Sequence, residues 1–271
     1  MNYLELTFQD ITGTTRDILE YRLSELGFEG FNETHEGLLA YVSEPRFLIE
    51  EVDRICGELG VTYTRSALPE KDWNETWEKN FTPVVIDGKC RIHAPFHEPS
   101  GDYPYDIIIE PKMSFGTGHH ETTSLIISFL LDMDLSGKRI LDMGCGTGIL
   151  SILAEKMGAE SVLAVDNEEW AYKNAQENIL KNNSGKIIVK LGETDAAKGS
   201  YDIILANINR NVLMEQIPFY SGSLANGGIL IMSGFFIEDL PLIIEGAKKY
   251  YFVHKDTMTM NLWAAAKFIR E

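Results

Sequence analysis

A short apolar strand that runs into a glycine-rich loop constrains this chain more than any other feature. Residues 140–150 read I-L-D-M-G-C-G-T-G-I-L. Gly144, Gly146 and Gly148 allow a tight turn and a close approach between a ligand and the backbone. A helix that starts after such a loop presents unpaired N–H groups. The segment therefore predicts a strand, a ligand-binding turn and a helix in succession.

The spacing of these glycines distinguishes two kinds of ligand. A dinucleotide site has the pattern G-x-G-x-x-G, and its third glycine would fall here at Ile149. This chain has G-x-G-x-G instead, which resembles motif I of the class I methyltransferases that bind S-adenosylmethionine. Asp166 ends the next apolar run, where an acid can accept hydrogen bonds from ribose hydroxyls. A glycine-rich turn without a ligand is the structural alternative.

The composition is that of a globular protein with a strongly negative charge. The chain has 271 residues, of which 44% are hydrophobic, and a formal net charge of −17. Nucleic-acid binding depends on Lys and Arg, so we expect no direct nucleic-acid partner. Without a membrane-length apolar run or a secretory signal pattern, we expect a cytoplasmic protein with no membrane partner. The widely spaced Cys56, Cys90 and Cys145 are expected to be free thiols.

Residues 1–66 are predicted to form a small α+β domain. Their strand and helix patterns follow the order β-α-β-β-α-β, which is typical of a ferredoxin-like split βαβ unit. Residues 1–70 hold 14 acidic residues and 5 Lys or Arg, a surplus that favours a basic partner or serves solubility alone. Because no catalytic group is obvious there, we interpret this domain as a substrate-recognition module. A packing or dimerisation module is the alternative.

Residues 67–111 are predicted to form a connector with a helix and a hairpin. Trp73, Trp77 and Phe81 recur every four residues, and we expect this stripe to dock the connector on the large domain. Asp87-Gly88 is a hairpin signal between two short strands.

Residues 112–271 are predicted to form a seven-stranded, Rossmann-like α/β domain of the class I methyltransferase type. Strand and helix patterns alternate, which indicates a parallel sheet. The last two strands are joined by a short loop and are expected to pair antiparallel. The candidate strands are residues 139–142, 161–166, 186–191, 202–206, 228–232, 250–255 and 262–269.

A second segment makes the resemblance specific to one family. Residues 114–123 read S-F-G-T-G-H-H-E-T-T, which is similar to the F-G-T-G-T-H-P-T-T signature of the methyltransferases that act on large-subunit ribosomal protein L11. Two positions depart from this signature: His119 occupies the position of its second Thr, and Glu121 occupies the position of its Pro. The connector also resembles that family's D-W-x-x-x-W-x-x-x-F-x-P pattern, at Asp72, Trp73, Trp77, Phe81 and Pro83. The resemblance covers essentially the whole chain.

The resemblance implies a protein methyltransferase that uses S-adenosylmethionine as its cofactor. Its substrate would be ribosomal protein L11, methylated on lysine side-chain amines and on the N-terminal amine, and we expect a monomer. The family's cofactor-binding residues correspond here to Thr123, Gly144, Asp166 and Asn207. To these we add Gly146 and Gly148, which shape the loop, and Asp142, which orients loop N–H groups or the cofactor's amine, or merely caps the loop.

Two residues are candidates for the catalytic step. Asn207 ends the fourth strand of the sheet, at the edge where open α/β folds bind ligands, and its oxygens can accept from an amine N–H. The stretch 205–209 lacks the prolines and tyrosine of an N-P-P-Y motif, which favours an alkyl amine over a planar amide or base. His120 is a candidate general base, with proton loss to water as the alternative.

Other kinds of site are disfavoured or stay open. Neither His93 with His97 nor His119 with His120 has a recognised zinc-ligand spacing, so we expect no metal. Ile149 at the third-glycine position disfavours a dehydrogenase. A methyltransferase for RNA or a small molecule, and a non-catalytic factor that keeps the fold, are the remaining alternatives.

Overall fold

The computed structural model describes residues 3–11, 13–34, 37–68, 82–110, 116 and 118–271. The chain divides into two compact units, Met1–Lys79 and Asn80–Glu271. The predicted hairpin of the connector belongs to the second unit. The predicted connector helix, with Trp73, Trp77 and Phe81, lies outside the described residues.

In its described residues, the first unit contains a four-stranded antiparallel sheet and two α-helices. Its elements are β1 (Tyr3–Gln9), α1 (Thr14–Glu25), β2 (Gly30–Thr34), β3 (Gly37–Ser43), α2 (Ile49–Leu59) and β4 (Tyr63–Leu68). The element order is the predicted one, and the strands lie in the order β2-β3-β1-β4. Because side chains alternate along a strand, Leu4, Leu6 and Phe8 of β1 all face one side, where they pack with Leu19 and Leu23 of α1.

The second unit begins with a small sheet of three strands, β5 (Val84–Ile86), β6 (Cys90–His93) and β7 (Tyr105–Ile108). Strands β5 and β6 pair antiparallel, which confirms the predicted hairpin. Asp87 and Gly88 in its turn have φ of 51° and 65°, as the tight hairpin turn favoured by Asp-Gly requires.

The large sheet has the predicted seven strands. The elements of this part are α3 (Glu121–Leu131), β8 (Arg139–Met143), α4 (Ile149–Lys156), β9 (Ser161–Asp166), α5 (Glu169–Lys181), β10 (Ile187–Leu191), β11 (Tyr201–Asn207), α6 (Arg210–Ser223), β12 (Leu224–Phe236), α7 (Leu240–Lys248), β13 (Phe252–Met260) and β14 (Trp263–Arg270). The strand order is β10-β9-β8-β11-β12-β14-β13. Strand β14 runs antiparallel to both of its neighbours, so the expected antiparallel pair and the Rossmann-like fold are confirmed.

The strand order places one point of the sheet in position to bind a ligand. Strand β8 lies between β9 and β11. The strands that follow β8 are added first on one side of it, as β9 and β10, and then on the other side, as β11 and β12, so the strand order reverses at β8. Open α/β sheets bind ligands at such a switch point, outside the carboxyl ends of the strands. The loops after β8, β9 and β11 meet there.

Within the described ranges, every helix is too short or too polar to cross a bilayer.

Candidate active site

The glycine-rich loop follows β8 at the switch point. Gly144, Gly146 and Gly148 have φ of 70°, 54° and 79°, a left-handed conformation that glycine adopts without strain. A side chain at Gly144 is also excluded by packing, because a Cβ there would lie 2.2 Å from Ile208 Cγ2. The Gly144 N–H donates to the carbonyl oxygen of Val165 at 2.8 Å, which fixes the loop to the end of β9.

Asp166 ends β9 directly beside this loop. Its carboxylate oxygens accept hydrogen bonds from the backbone N–H groups of Gly146, at 2.9 Å, and Glu168, at 3.0 Å. Burial raises the pKa of Asp166, while these two hydrogen bonds act in the opposite direction. Each oxygen of an ionised carboxylate can accept more than one hydrogen bond, so both can also receive ligand hydroxyls.

Asp142 lies fully buried in β8, two residues before the loop. Its Oδ2 accepts from the hydroxyl of Ser151 in α4 at 2.6 Å, a partner that the sequence analysis missed. Its Oδ1 is buried with no hydrogen-bond partner among the described residues. Burial raises the pKa of this carboxyl to about 6. An unpaired buried carboxylate oxygen is costly, so this atom suits a ligand that carries an N–H donor.

Asn207 ends β11, beside β8. Its Nδ2 donates to Thr123 Oγ1 at 3.2 Å, and Thr123 is fully buried in the first turn of α3. The Oδ1 of Asn207 is buried and has no partner in the part of the chain that the structure describes. The Thr123 bond therefore holds the amide so that its oxygen is left as an acceptor. This contact supplies a physical basis for Thr123, which only the family resemblance had selected.

His120 forms the N-cap of α3. Its Nδ1 accepts from the backbone N–H of Thr122 at 3.2 Å, and its ring packs against Trp263 with centroids 4.7 Å apart. Burial lowers the pKa of His120 to about 4, although the nearby Glu121 opposes this shift. The imidazole is therefore neutral at physiological pH and has a structural role as a helix cap.

The two residues that depart from the family signature both form hydrogen bonds to distant segments. His119 Nε2 lies 3.0 Å from the carbonyl oxygen of Thr82. Glu121 Oε1 accepts from Asn261 Nδ2 at 2.7 Å. These contacts fasten the start of α3 to the segment before β5 and to the turn between β13 and β14.

His93, His97 and the three cysteines have structural surroundings. His93 Nε2 lies 3.3 Å from Asp106 Oδ2, and His97 Nδ1 accepts from the Ala94 N–H at 3.1 Å. Among the residues that the structure describes, no three His, Cys, Asp or Glu are grouped so that they could hold a metal ion. The three cysteines are free and buried, as the sequence predicts.

The residues at the switch point fit S-adenosylmethionine. This molecule carries an ammonium group, a sulfonium centre and two ribose hydroxyls. Among the described residues, Asp142 Oδ1 and Asn207 Oδ1 are buried acceptors without a hydrogen-bond partner, and Asp166 adds a carboxylate. The set of hydrogen-bond acceptors is therefore acidic and oxygen-rich, as a cationic, hydroxyl-bearing ligand requires.

Comparison with known proteins identifies the family. The model of the ribosomal protein L11 methyltransferase (PrmA) family matches residues 7–271. The ribosomal protein L11 methyltransferase of Bacteroides fragilis is 44% identical over 279 residues, which cover 99% of this chain and 100% of that protein. Its counterpart from Porphyromonas gingivalis is 43% identical over 97% of this chain and 92% of that protein.

A solved structure agrees with the sequence relatives. The ribosomal protein L11 methylase from Lactobacillus delbrueckii subsp. bulgaricus is 27% identical and superposes with a TM-score of 0.66. The match covers 70% of this chain and 100% of that one. These findings bear out the predicted fold and S-adenosylmethionine as the methyl donor. The chain belongs to the ribosomal protein L11 methyltransferase family.

Proposed function

We propose that this protein transfers methyl groups from S-adenosylmethionine to amines of ribosomal protein L11. Family membership supports the reaction and the substrate. The Oδ1 of Asn207, which is buried without a hydrogen-bond partner among the described residues, supports an amine as the acceptor, because an amine brings N–H donors to this atom. We extend the proposal to lysine side-chain amines and the N-terminal amine, since the chain lacks the P-P-Y residues typical of planar acceptors.

In this proposal, the cofactor-binding residues contact different parts of the ligand. When bound, the cofactor supplies a methyl group that is already activated on a sulfonium for in-line displacement. The carboxylate of Asp142 would accept from the ammonium of its methionine part, and Asp166 would accept from the ribose hydroxyls. The loop at Gly144, Gly146 and Gly148 allows the backbone to approach. Thr123 orients Asn207.

The substrate amine has to be neutral before it can attack. At pH 7, deprotonation of a lysine ammonium with pKa near 10.4 costs about 4.6 kcal/mol of free energy, whereas deprotonation of an α-ammonium costs only about 1 kcal/mol. A desolvated site beside a positive charge disfavours the ammonium form and lowers the pKa of either amine. Asn207 Oδ1 would accept an N–H of the neutral amine and so orient its nitrogen for attack.

His120 is the candidate general base. In a neutral ring whose Nδ1 accepts the Thr122 N–H, Nε2 carries the hydrogen, so no free basic nitrogen is left. A pKa of about 4 also makes a poor match to an ammonium. We therefore favour proton loss to water and regard His120 as a residue that holds α3 in place.

We assign recognition of the protein substrate to residues 1–66. The acidic surplus of this region would steer a basic ribosomal protein by complementary charge. Deletion of residues 1–66 is expected to abolish methylation of L11 and to leave binding of S-adenosylhomocysteine intact. Retained methylation of L11 would refute this assignment.

We further propose that the enzyme is a monomer that acts in the cytoplasm and does not contact nucleic acid or membranes directly, in keeping with the net charge of −17.

Incubation with labelled S-adenosylmethionine and fractionated bacterial ribosomal extract tests the proposal. We expect methyl groups on amines of L11, identified by mass spectrometry. Label on RNA or on another protein would overturn the acceptor. Cofactor binding without label would favour a non-catalytic factor. The Asp166→Ala variant is the matched control, because it removes the ribose acceptor and should lose both binding and label.

A further inference from the structure

Three asparagines lie four residues apart, at Asn174 and Asn178 of α5 and at Asn182, the residue that caps the C-terminus of α5. Asn174 and Asn178 are 1% and 0% exposed. Asparagine is a modest helix former, and a buried amide is costly unless it is hydrogen-bonded. This stripe, which the sequence analysis did not use, therefore needs a reason for its burial.

Asn178 joins α5 to two other segments. Its Nδ2 donates to the carbonyl oxygen of Thr147 in the glycine-rich loop at 2.9 Å, and to Asn174 Oδ1 at 3.2 Å. Its Oδ1 accepts from the backbone N–H of Glu110 at 2.8 Å. Glu110 lies just after β7, on the segment that leads towards the signature before α3. One fully buried side chain thus bridges the loop and this segment.

Thr147 is held from the opposite side as well. Its Oγ1 donates to the carbonyl oxygen of Gly116 at 2.5 Å, so both the signature segment and α5 bind this one loop residue. Thr147 is fully buried and lies between Gly146 and Gly148. Glycine backbones can adopt a wide range of φ and ψ angles. Without the Asn178 amide, the Thr147 carbonyl would be buried without its donor, and the flanking glycines would allow the loop to move.

We propose that Asn178 is a positioning residue that sets the loop of residues 144–148 for cofactor binding. It acts through Thr147, one residue from the Gly146 N–H that donates to Asp166, so a shift of the loop would also disturb the ribose acceptor. This inference rests on the proposed function only in that the cofactor binds at this loop. It assigns the loop's conformation to α5 as well as to the glycines themselves.

Asn182 provides a matched control on the same helix face. Its Oδ1 accepts from the Ile108 N–H at 3.0 Å, and its Nδ2 donates to the Ile108 carbonyl oxygen at 2.6 Å. It therefore fastens the same segment to α5, and within the part of the chain that the structure describes its side chain forms no hydrogen bond to the glycine-rich loop. A purely structural stripe predicts equal effects of the two residues, whereas a positioning role predicts an effect on cofactor binding at Asn178 alone.

The experiment compares Asn178→Leu with Asn182→Leu in the full chain. Binding of S-adenosylhomocysteine is measured by calorimetry, stability by urea unfolding, and kcat and KM with L11 as substrate. We expect Asn178→Leu to raise the Kd roughly tenfold, equivalent to about 1.4 kcal/mol, and to raise the KM for S-adenosylmethionine more than it lowers kcat. Asn182→Leu is expected to change the Kd by about twofold or less despite a similar loss of stability.

Two results would overturn the inference: equal changes of Kd in both variants, or a wild-type Kd in Asn178→Leu. Failure of the wild-type protein to bind S-adenosylhomocysteine would instead refute the proposed function. If Asn178→Leu does not fold, Asn178→Asp decides. Its carboxylate keeps an acceptor for Glu110 but donates to Thr147 only when protonated. Its affinity relative to wild type should be low at pH 8 and recover towards pH 5.5, and a wild-type or pH-independent ratio would contradict the proposal.

Discussion

Asn207 Nδ2 donates a hydrogen bond to Thr123 Oγ1 at 3.2 Å, which joins the end of β11 to the first turn of α3. The two residues are 84 positions apart in the chain. Because the amide nitrogen is engaged by Thr123, the amide oxygen is the atom left to receive a substrate amine. The orientation of the proposed acceptor-binding group therefore depends on a residue of the signature segment.

Thr123→Val tests this orientation. The substitution preserves shape and removes the acceptor of the Asn207 amide, so we expect kcat/KM for L11 to fall roughly tenfold, equivalent to about 1–2 kcal/mol for a lost buried hydrogen bond. Methylation kinetics with purified L11 measure the effect. Thr123→Ser keeps the hydroxyl and should retain most of the activity. Equal activity of the Val and Ser variants would show that the bond does not orient Asn207.

Asp142→Asn is expected to stabilise the protein without cofactor and to weaken cofactor binding. Burial raises the pKa of Asp142 from 3.8 to about 6, so the folded state binds this proton more tightly than the unfolded state. The carboxyl therefore lowers stability increasingly as pH rises from about 4 to about 6, by about 3 kcal/mol above that window.

Urea unfolding of wild type and Asp142→Asn at pH 4.5 and pH 8 measures this linkage. The variant's gain in the free energy of unfolding should be larger at pH 8 than at pH 4.5. Calorimetry should show weaker binding of S-adenosylhomocysteine, because the neutral amide replaces a carboxylate beside the ligand's ammonium. A stability difference that does not change with pH would contradict the role of burial.

His120→Ala is expected to retain much of its activity at pH 9. Loss of the N-cap should lower the free energy of unfolding by about 1 kcal/mol, and this is the main expected effect. His120→Asn is the control, since an asparagine oxygen can accept the Thr122 N–H and restore the cap. A His120→Ala protein that binds cofactor and is inactive at pH 9 would show that loss of the amine proton to solvent is not sufficient.

Glu121→Pro introduces the residue that the family signature has at this position. Glu121 is the first residue of α3, where proline is well tolerated because that N–H has no intrahelical partner. We expect a stability change within about 1 kcal/mol, from loss of the exposed bond to Asn261. Ser124→Pro is the contrast, because the Ser124 N–H donates to the His120 carbonyl and its loss should cost about 3 kcal/mol. Thermal unfolding distinguishes the two.

Much of the fold could be predicted from the sequence because it is encoded by near neighbours. The Asp87-Gly88 turn has the two positive φ angles that its residue types favour. The alternation of apolar strands with helices predicted the parallel sheet and its antiparallel last pair. The sequence analysis did not predict that Asn178 anchors the glycine-rich loop. The available signal was its spacing of four residues from Asn174 and from Asn182.

The sequence by itself determined the loop at Gly144, the carboxylate of Asp166 at the next strand end and the family, since each is carried by residue types at short, fixed spacings. Only the tertiary structure decided that Thr123 holds Asn207 and that Asn178 holds Thr147. These partners lie 31 or more positions apart. Which distant polar groups meet depends on the strand order that brings them to one edge of the sheet, and local patterns do not encode that order.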